Sequence, residues 1–144
     1  MASFRTLSTA FALSLSLVAC STYTSNTPNM TSPMKHTLEE GEWHVEDLAR
    51  KGIVDSSVIS MTFDKNGRVS GSASCNRFNG QYTAQGSSLN ISKTASTRMM
   101  CSPALMNQES LFLALLEKTQ SYSFTADGAL LLKTTDGEVI TARH

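Results

Sequence analysis

Four dipeptides punctuate the chain and limit what it can become: Asn66-Gly67, Gln85-Gly86, Asp127-Gly128 and Asp136-Gly137. Asn-Gly and Asp-Gly favour two-residue hairpin turns, whose positive φ angles suit the right-handed twist of the flanking strands. The stretches beside them alternate apolar and polar residues, the period of a half-buried strand. In residues 42–48, Trp43 and Val45 share a face. In residues 57–63, Ile59, Met61 and Phe63 point one way, and Ser60 and Thr62 the other. Residues 68–73 return as the partner strand, and their small Gly71 and Ala73 mark a close approach by another backbone. Residues 80–84 and 88–92 form a second hairpin, and 122–126, 129–134 and 138–141 are three closing strands. Ser102-Pro103 starts a helix: Ser offers a capping oxygen, and Pro at the first helical position loses no needed hydrogen bond. Leu105, Phe112, Leu113 and Leu116 carry that helix to about Thr119. Eight short strands and one helix predict a mainly β fold, an antiparallel sheet curled into a barrel or half-barrel. The helix would plug the open end or flank an edge, because an uncovered edge invites aggregation.

The first nineteen residues carry one positive charge, Arg5, and an apolar run over 7–18 relieved only by Ser and Thr. That run is too short to span a bilayer and has the length of a secretory signal's core. It ends in Leu17-Val18-Ala19-Cys20-Ser21, which resembles the bacterial lipobox: cleavage before Cys20, then lipid on its thiol. Several acyl chains anchor stably where one would leave. Ser21 stands where an Asp would resemble an inner-membrane retention signal, so the resemblance implies the periplasmic face of the outer membrane. Residues 1–19 are thus expected to be a signal peptide and 20–37 a lipidated cysteine with a flexible tether rich in Ser, Thr, Asn and Pro. The folded domain is expected over 38–144.

Lys and Arg number 12, Asp and Glu 12, for a net charge of zero. No run of like charge offers nucleic acid an electrostatic hold, so no nucleic-acid partner is expected. With Cys20 set apart, Cys75 and Cys101 form an even pair, and an oxidising compartment favours a bridge between them. Two other readings stay open. One is a reactive thiol, activated by Arg77 or Arg98; the other is a pair of buried free thiols. His36, His44 and His144 lack ligand spacing to either cysteine, so no metal is expected. No phosphate-binding glycine loop, catalytic carboxylate pair or nucleophile elbow is present, so neither a cofactor nor an enzymatic activity is implied.

Two segments carry a further resemblance: Gly71-Ser-Ala-Ser-Cys75-Asn76-Arg77-Phe78-Asn79-Gly80-Gln-Tyr82, and Ala95-Ser96-Thr97-Arg98-Met99-Met100-Cys101. Together, with the Trp43 strand and the Leu130-Leu131-Leu132 strand, they resemble the META/HslJ-like family across about 38–140. One departure is Ala73-Ser74, where many relatives have glycine. The resemblance implies a cracked, half-open β-barrel with one helix, similar to lipid-binding pilot lipoproteins. It also implies a role in stress response, drug tolerance, motility or secretion, with no catalytic residues to carry over.

The motif residues Asn76, Arg77, Phe78, Gly80, Tyr82, Thr97, Arg98 and Met99 are the candidate binding set. Asn76 and Arg77 read as turn residues, with Asn76 bonding its own backbone. Arg98 would satisfy carbonyls at the barrel end. Met99, Met100 and Met106 read as core filler, and Glu109 as a solvated residue or an arginine's partner. The leading expectation is a non-catalytic envelope lipoprotein that binds a lipid, a small hydrophobic molecule or another envelope protein. The alternatives are an inhibitor of a lysozyme-like hydrolase and a thiol-dependent enzyme built on Cys75 or Cys101.

Overall fold

The computed structural model describes residues 36–144. Cys20, the apolar run before it and all of the tether but His36 and Thr37 lie outside them. A 3-10 turn at Leu38–Glu40 leads into eight strands: β1 (Glu42–Leu48), β2 (Ile59–Phe63), β3 (Arg68–Ala73), β4 (Arg77–Gln85), β5 (Ser88–Ser96), β6 (Thr119–Phe124), β7 (Leu130–Thr134) and β8 (Val139–Arg143). One helix, α1 (Pro103–Glu117), stands between β5 and β6. Every pairing is antiparallel, and each strand pairs with its neighbours in sequence.

The barrel is closed, which corrects the expectation of a cracked, half-open one. An open sheet leaves two rows of unpaired backbone groups. Here β8 pairs with β1 over His44↔Arg143, Val45↔Ala142, Asp47↔Thr141 and Leu48↔Ile140. The opposite seam, where the helix interrupts the chain, is thinner. There Ser88 pairs with Ser121, and the Tyr122 N–H donates to the Ser87 carbonyl at 2.9 Å. A seam this short still completes the ring, and the sequence pattern of β5 and β6 carries no sign of it.

Eight strands enclose an interior just wide enough for side chains to fill. Trp43, Met61, Phe63, Val69, Leu89, Ile91, Leu130, Leu132 and Ile140 supply it, all buried. The β1–β8 register shifts between Val45 and Asp47, so β1 buries Trp43, Val45 and then Leu48. Without that bulge, strict alternation would turn Leu48 to solvent. Gly71 lies opposite Met61, and a Cβ there would fall 2.0 Å from the Ser60 carbonyl oxygen. The small residue in β3 therefore does mark a close backbone approach.

Helix α1 packs on β3, β5, β7 and β8. Those strands lie on different sides of the ring, so the helix crosses one end as a plug. It buries Phe112, Leu115 and Leu116, together with Gln108 and Glu109. Pro103 opens it as expected. Ser102 makes no side-chain cap bond, and its carbonyl instead accepts from the Met106 N–H at 3.1 Å. The other end of the barrel holds the 3-10 turn, the β2–β3 turn and both ends of the described chain. At that end Trp43 stacks on His144 with ring centroids 3.8 Å apart and donates from Nε1 to the Leu38 carbonyl at 2.9 Å.

Candidate functional site

The candidate residues divide by position along β4. Phe78, Gly80 and Tyr82 alternate onto its inner face and are buried. Phe78 meets Phe112 of the helix edge-on at 5.3 Å, which ties the plug to the wall. Tyr82 meets Phe63 edge-on at 5.1 Å. Its hydroxyl lies 2.8 Å from a Glu39 carboxylate oxygen and 2.7 Å from the Asp64 carbonyl. Having one proton, it donates to one of them at a time. Burial, and then the Glu39 hydrogen bond, raise its pKa above the ordinary tyrosine value. These three residues are structural: Phe78 lies against the plug, Gly80 at the bulge and Tyr82 toward the other end.

At the helix end the motif's two segments converge. The Cys75 and Cys101 sulfurs are bonded, with Cα atoms 6.0 Å apart. Both belong to the bridge, so neither offers a free thiol in this state. Asn76, just 1 % exposed, is the hub beside it. Its Oδ1 accepts from Thr97 Oγ1 at 2.8 Å and from the Met99 N–H at 2.7 Å. Its Nδ2 donates to the Met99 carbonyl at 3.2 Å and to Glu109 Oε1 at 3.0 Å. Its backbone N–H donates to Glu109 Oε2 at 2.8 Å. Asn76 does lie in the turn between β3 and β4, but its side chain bonds a distant loop and the helix rather than its own backbone, which corrects that part of the reading. Each half of the amide meets its complement, so the side chain is fully satisfied although buried.

Glu109 is neither a solvated face residue nor an arginine's partner: it is buried and grips Asn76 from the helix. Gln108 does the same next door, with Nε2 donating to Ser57 Oγ at 2.8 Å and Ser74 Oγ at 3.0 Å. Its Oε1 accepts from the Val54 N–H. Ser74 has φ +100, in the region that favours glycine, at the position where the sequence departs from many relatives. The helix therefore buries polar groups at its first turns and apolar ones at its last. An amphipathic pattern reads only the second half, which is why sequence reasoning missed both side chains.

The loop pinned by this network is exposed. Thr97 Oγ1 accepts from the Arg77 N–H at 3.2 Å, and the Thr97 N–H donates to the Arg77 carbonyl at 3.0 Å. Arg77 and Arg98 both face solvent, and among the described residues neither side chain forms an ion pair. Arg98 therefore does not cap barrel-end carbonyls. Met99 is 58 % and Met100 96 % exposed, so this pair is not core filler. Met106 is half-buried on the helix. Asn76 holds both Met99 backbone groups, and the Met99 and Met100 side chains face solvent. Val58, at 56 %, is the other large exposed hydrophobic among the described residues. It lies at the same end, its carbonyl accepting from Ser72 Oγ at 3.0 Å. A groove of about 290 Å³ runs between the β1–β2 loop and the helix, lined by Ile53, Val54, Ala104 and Leu111 among others.

Among the described residues no group of three or more His, Cys, Asp or Glu is placed to hold a metal ion. None of their helices is long and apolar enough to cross a membrane.

The fold has solved counterparts. An NMR structure shares 27 % identity at a TM-score of 0.60, covering 74 % of this chain and 90 % of the other. An NMR structure of a protein from Burkholderia xenovorans is 21 % identical at a TM-score of 0.61, covering 73 % and 81 %. A crystal structure of a DUF4847 family protein from Bacteroides vulgatus is 19 % identical at a TM-score of 0.54, covering 73 % and 92 %. The last two speak for the fold alone. No curated protein matches the chain at a significant level. The META domain family model matches residues 36–144, the whole of the described barrel and both motif segments, and the chain belongs to that family.

Proposed function

We propose that this protein is a non-catalytic binding lipoprotein of the bacterial envelope, and that it recognises another envelope protein through the helix-plugged end of its barrel. The observation that carries this reading is the methionine pair. Met99 and Met100 are exposed on a loop that a disulfide and Asn76 hold in place. Exposed apolar side chains on a fixed backbone are costly to leave in water and cheap to bury in a partner. Methionine's flexible, polarizable chain suits such a contact. The filled interior favours an outer surface over a ligand held inside the barrel.

Chain direction supports the same end. His36 lies 5.6 Å from Phe124, ring to ring, at the barrel end opposite the helix. An anchor at Cys20 would therefore enter from the far side and leave the methionine end free to meet a partner. Metabolic labelling with palmitate tests the anchor: label in the parent and none in Cys20→Ser is the expected result. A photoreactive amino acid at position 100 in intact cells tests the surface. A discrete adduct is expected from position 100 and none from position 83 on the outer wall. Identical adduct patterns from the two positions would refute it.

A further inference from the structure

The overall neutrality hides a segregation along the chain, which the strands gather onto one side of the barrel. Residues 65–101, which build β3, β4 and β5, carry Lys65, Arg68, Arg77, Lys93 and Arg98 and no Asp or Glu. On the outer face of these strands a polar groove of about 230 Å³ is lined by Arg68, Asn79, Gly80, Gln81 and Lys93. Arg68 pairs with Gln81 across one strand boundary, and Gln81 with Ser92 across the next. Neighbouring strands lie about 4.8 Å apart, so the two cationic side chains flank the groove within mutual reach of one small ligand.

A β-bulge sets Lys93 there. The β4–β5 register passes from Asn79↔Ala95 to Gln81↔Ser92, leaving Lys93 and Thr94 opposite the single Gly80. Lys93 accordingly takes φ +54. Bulges of this kind re-aim a side chain out of the ladder. Among the described residues neither Arg68 nor Lys93 forms an ion pair, and Asp64 feels the Arg68 charge without bonding its side chain. The acid next to Arg68, Asp64, has its Oδ1 occupied by the Asn66 and Arg68 backbone N–H groups, at 2.8 and 3.0 Å.

We infer that this groove is a binding site for a phosphate group. The Arg68 guanidinium supplies a planar fork of donors, Lys93 a point charge, and Asn79 and Gln81 neutral amide donors. Two cations outside any ion pair match the charge of nearly −2 that a phosphate monoester carries at neutral pH, which a carboxylate does not. The site is separate from the methionine end and does not depend on its partner.

The test is a titration of the purified, isotope-labelled protein with glycerol 3-phosphate, followed through backbone amide signals, with acetate at equal ionic strength as the comparison. A parallel arm measures binding to phosphatidylcholine vesicles with and without phosphatidic acid. Saturable shifts at Asn79, Gln81 and Lys93 are expected. Arg68→Ala and Lys93→Ala are each expected to weaken binding on the order of tenfold, while Lys133→Ala, elsewhere on the barrel, leaves it unchanged. Binding to phosphatidic acid vesicles alone would identify the phosphate's source as a lipid headgroup and retain the site. Equal shifts with acetate, equal loss in Lys133→Ala, or no response in either arm would overturn it.

Discussion

Replacing Asn76 by Asp changes a single group, yet it reverses the chemistry at the centre of the helix end. The amide Nδ2 that donates to Glu109 Oε1 at 3.0 Å and to the Met99 carbonyl at 3.2 Å becomes an oxygen facing two acceptors. Two carboxyl groups at that separation cannot both ionise, so the folded variant must hold one proton between them. Keeping a carboxyl protonated at pH 7, when its unfolded pKa is about 4, costs about 4 kcal/mol, and one hydrogen bond without a replacement proton costs about 1 more. Between pH 4 and 7 the folded variant binds more protons than its unfolded chain, so its stability falls as pH rises. Below pH 4 the shared proton is present in both states and restores a donor toward Glu109. The expected deficit relative to the parent is therefore about 5 kcal/mol at pH 7 and about 1 kcal/mol at pH 4. Urea unfolding of both proteins at several pH values, with the disulfide oxidised, reads the difference. Adding Glu109→Gln to the variant should recover most of the loss at pH 7, because the new amide at 109 donates to the Asp oxygen where the Glu109 carboxylate accepted from Asn76 Nδ2. A deficit that does not change with pH would mean that Asn76 and Glu109 are not in contact.

Three further outcomes are expected. Gly71→Ala should lose about 3 kcal/mol or more, because its Cβ would fall 2.0 Å from the Ser60 carbonyl oxygen within a paired ladder; a urea midpoint close to the parent's would contradict that packing. Opening the bridge with Cys75→Ser and Cys101→Ser should cost about 3.5 kcal/mol by the chain-entropy model, given a sequence separation of 26, and thermal unfolding with and without reductant measures it. Asp127 and Asp136 should both contribute to the acid limb. A Thr125 hydrogen bond and then Arg143 lower the first to about 2, and a Thr134 hydrogen bond and then Lys118 lower the second to about 2. Both stabilise fully above the ordinary aspartate pKa and lose that effect as pH falls through about 2. Asp136→Asn should accordingly flatten the stability profile between pH 4 and pH 2, seen in an acid titration by circular dichroism.

The strand and turn order was largely legible because each hairpin carries its own local code. Gly67, Gly86, Gly128 and Gly137 all adopt positive φ, as the turn pattern requires. The same logic failed at the ends of β4 and β5, which run to Arg77 and Ser96. Past Ser92, β5 continues as Lys93, Thr94, Ala95 and Ser96 with no apolar alternation, and the bulge opposite Gly80 breaks the period in the pair. Closure of the ring was not legible, since a seam such as Ser88↔Ser121 leaves no mark in either strand's own pattern. The motif located the helix end but not its mechanics. Nothing local separates a buried Glu109, gripping an amide thirty-three positions away, from a solvated one. Met99 and Met100 misled for the opposite reason: their apolar chemistry suggests the core, while Asn76 fixes the Met99 backbone in a loop whose side chains face solvent.

Whether residues 97–101 form a fixed platform or a free loop can be read by amide hydrogen exchange. The Met99 N–H is held by Asn76 Oδ1 at 2.7 Å and the Thr97 N–H by the Arg77 carbonyl at 3.0 Å. Both should exchange about a hundredfold or more slowly than the Met100 amide in the oxidised protein. Exchange of Met99 and Thr97 as fast as Met100 would show an unpinned loop and remove the surface on which partner recognition is placed.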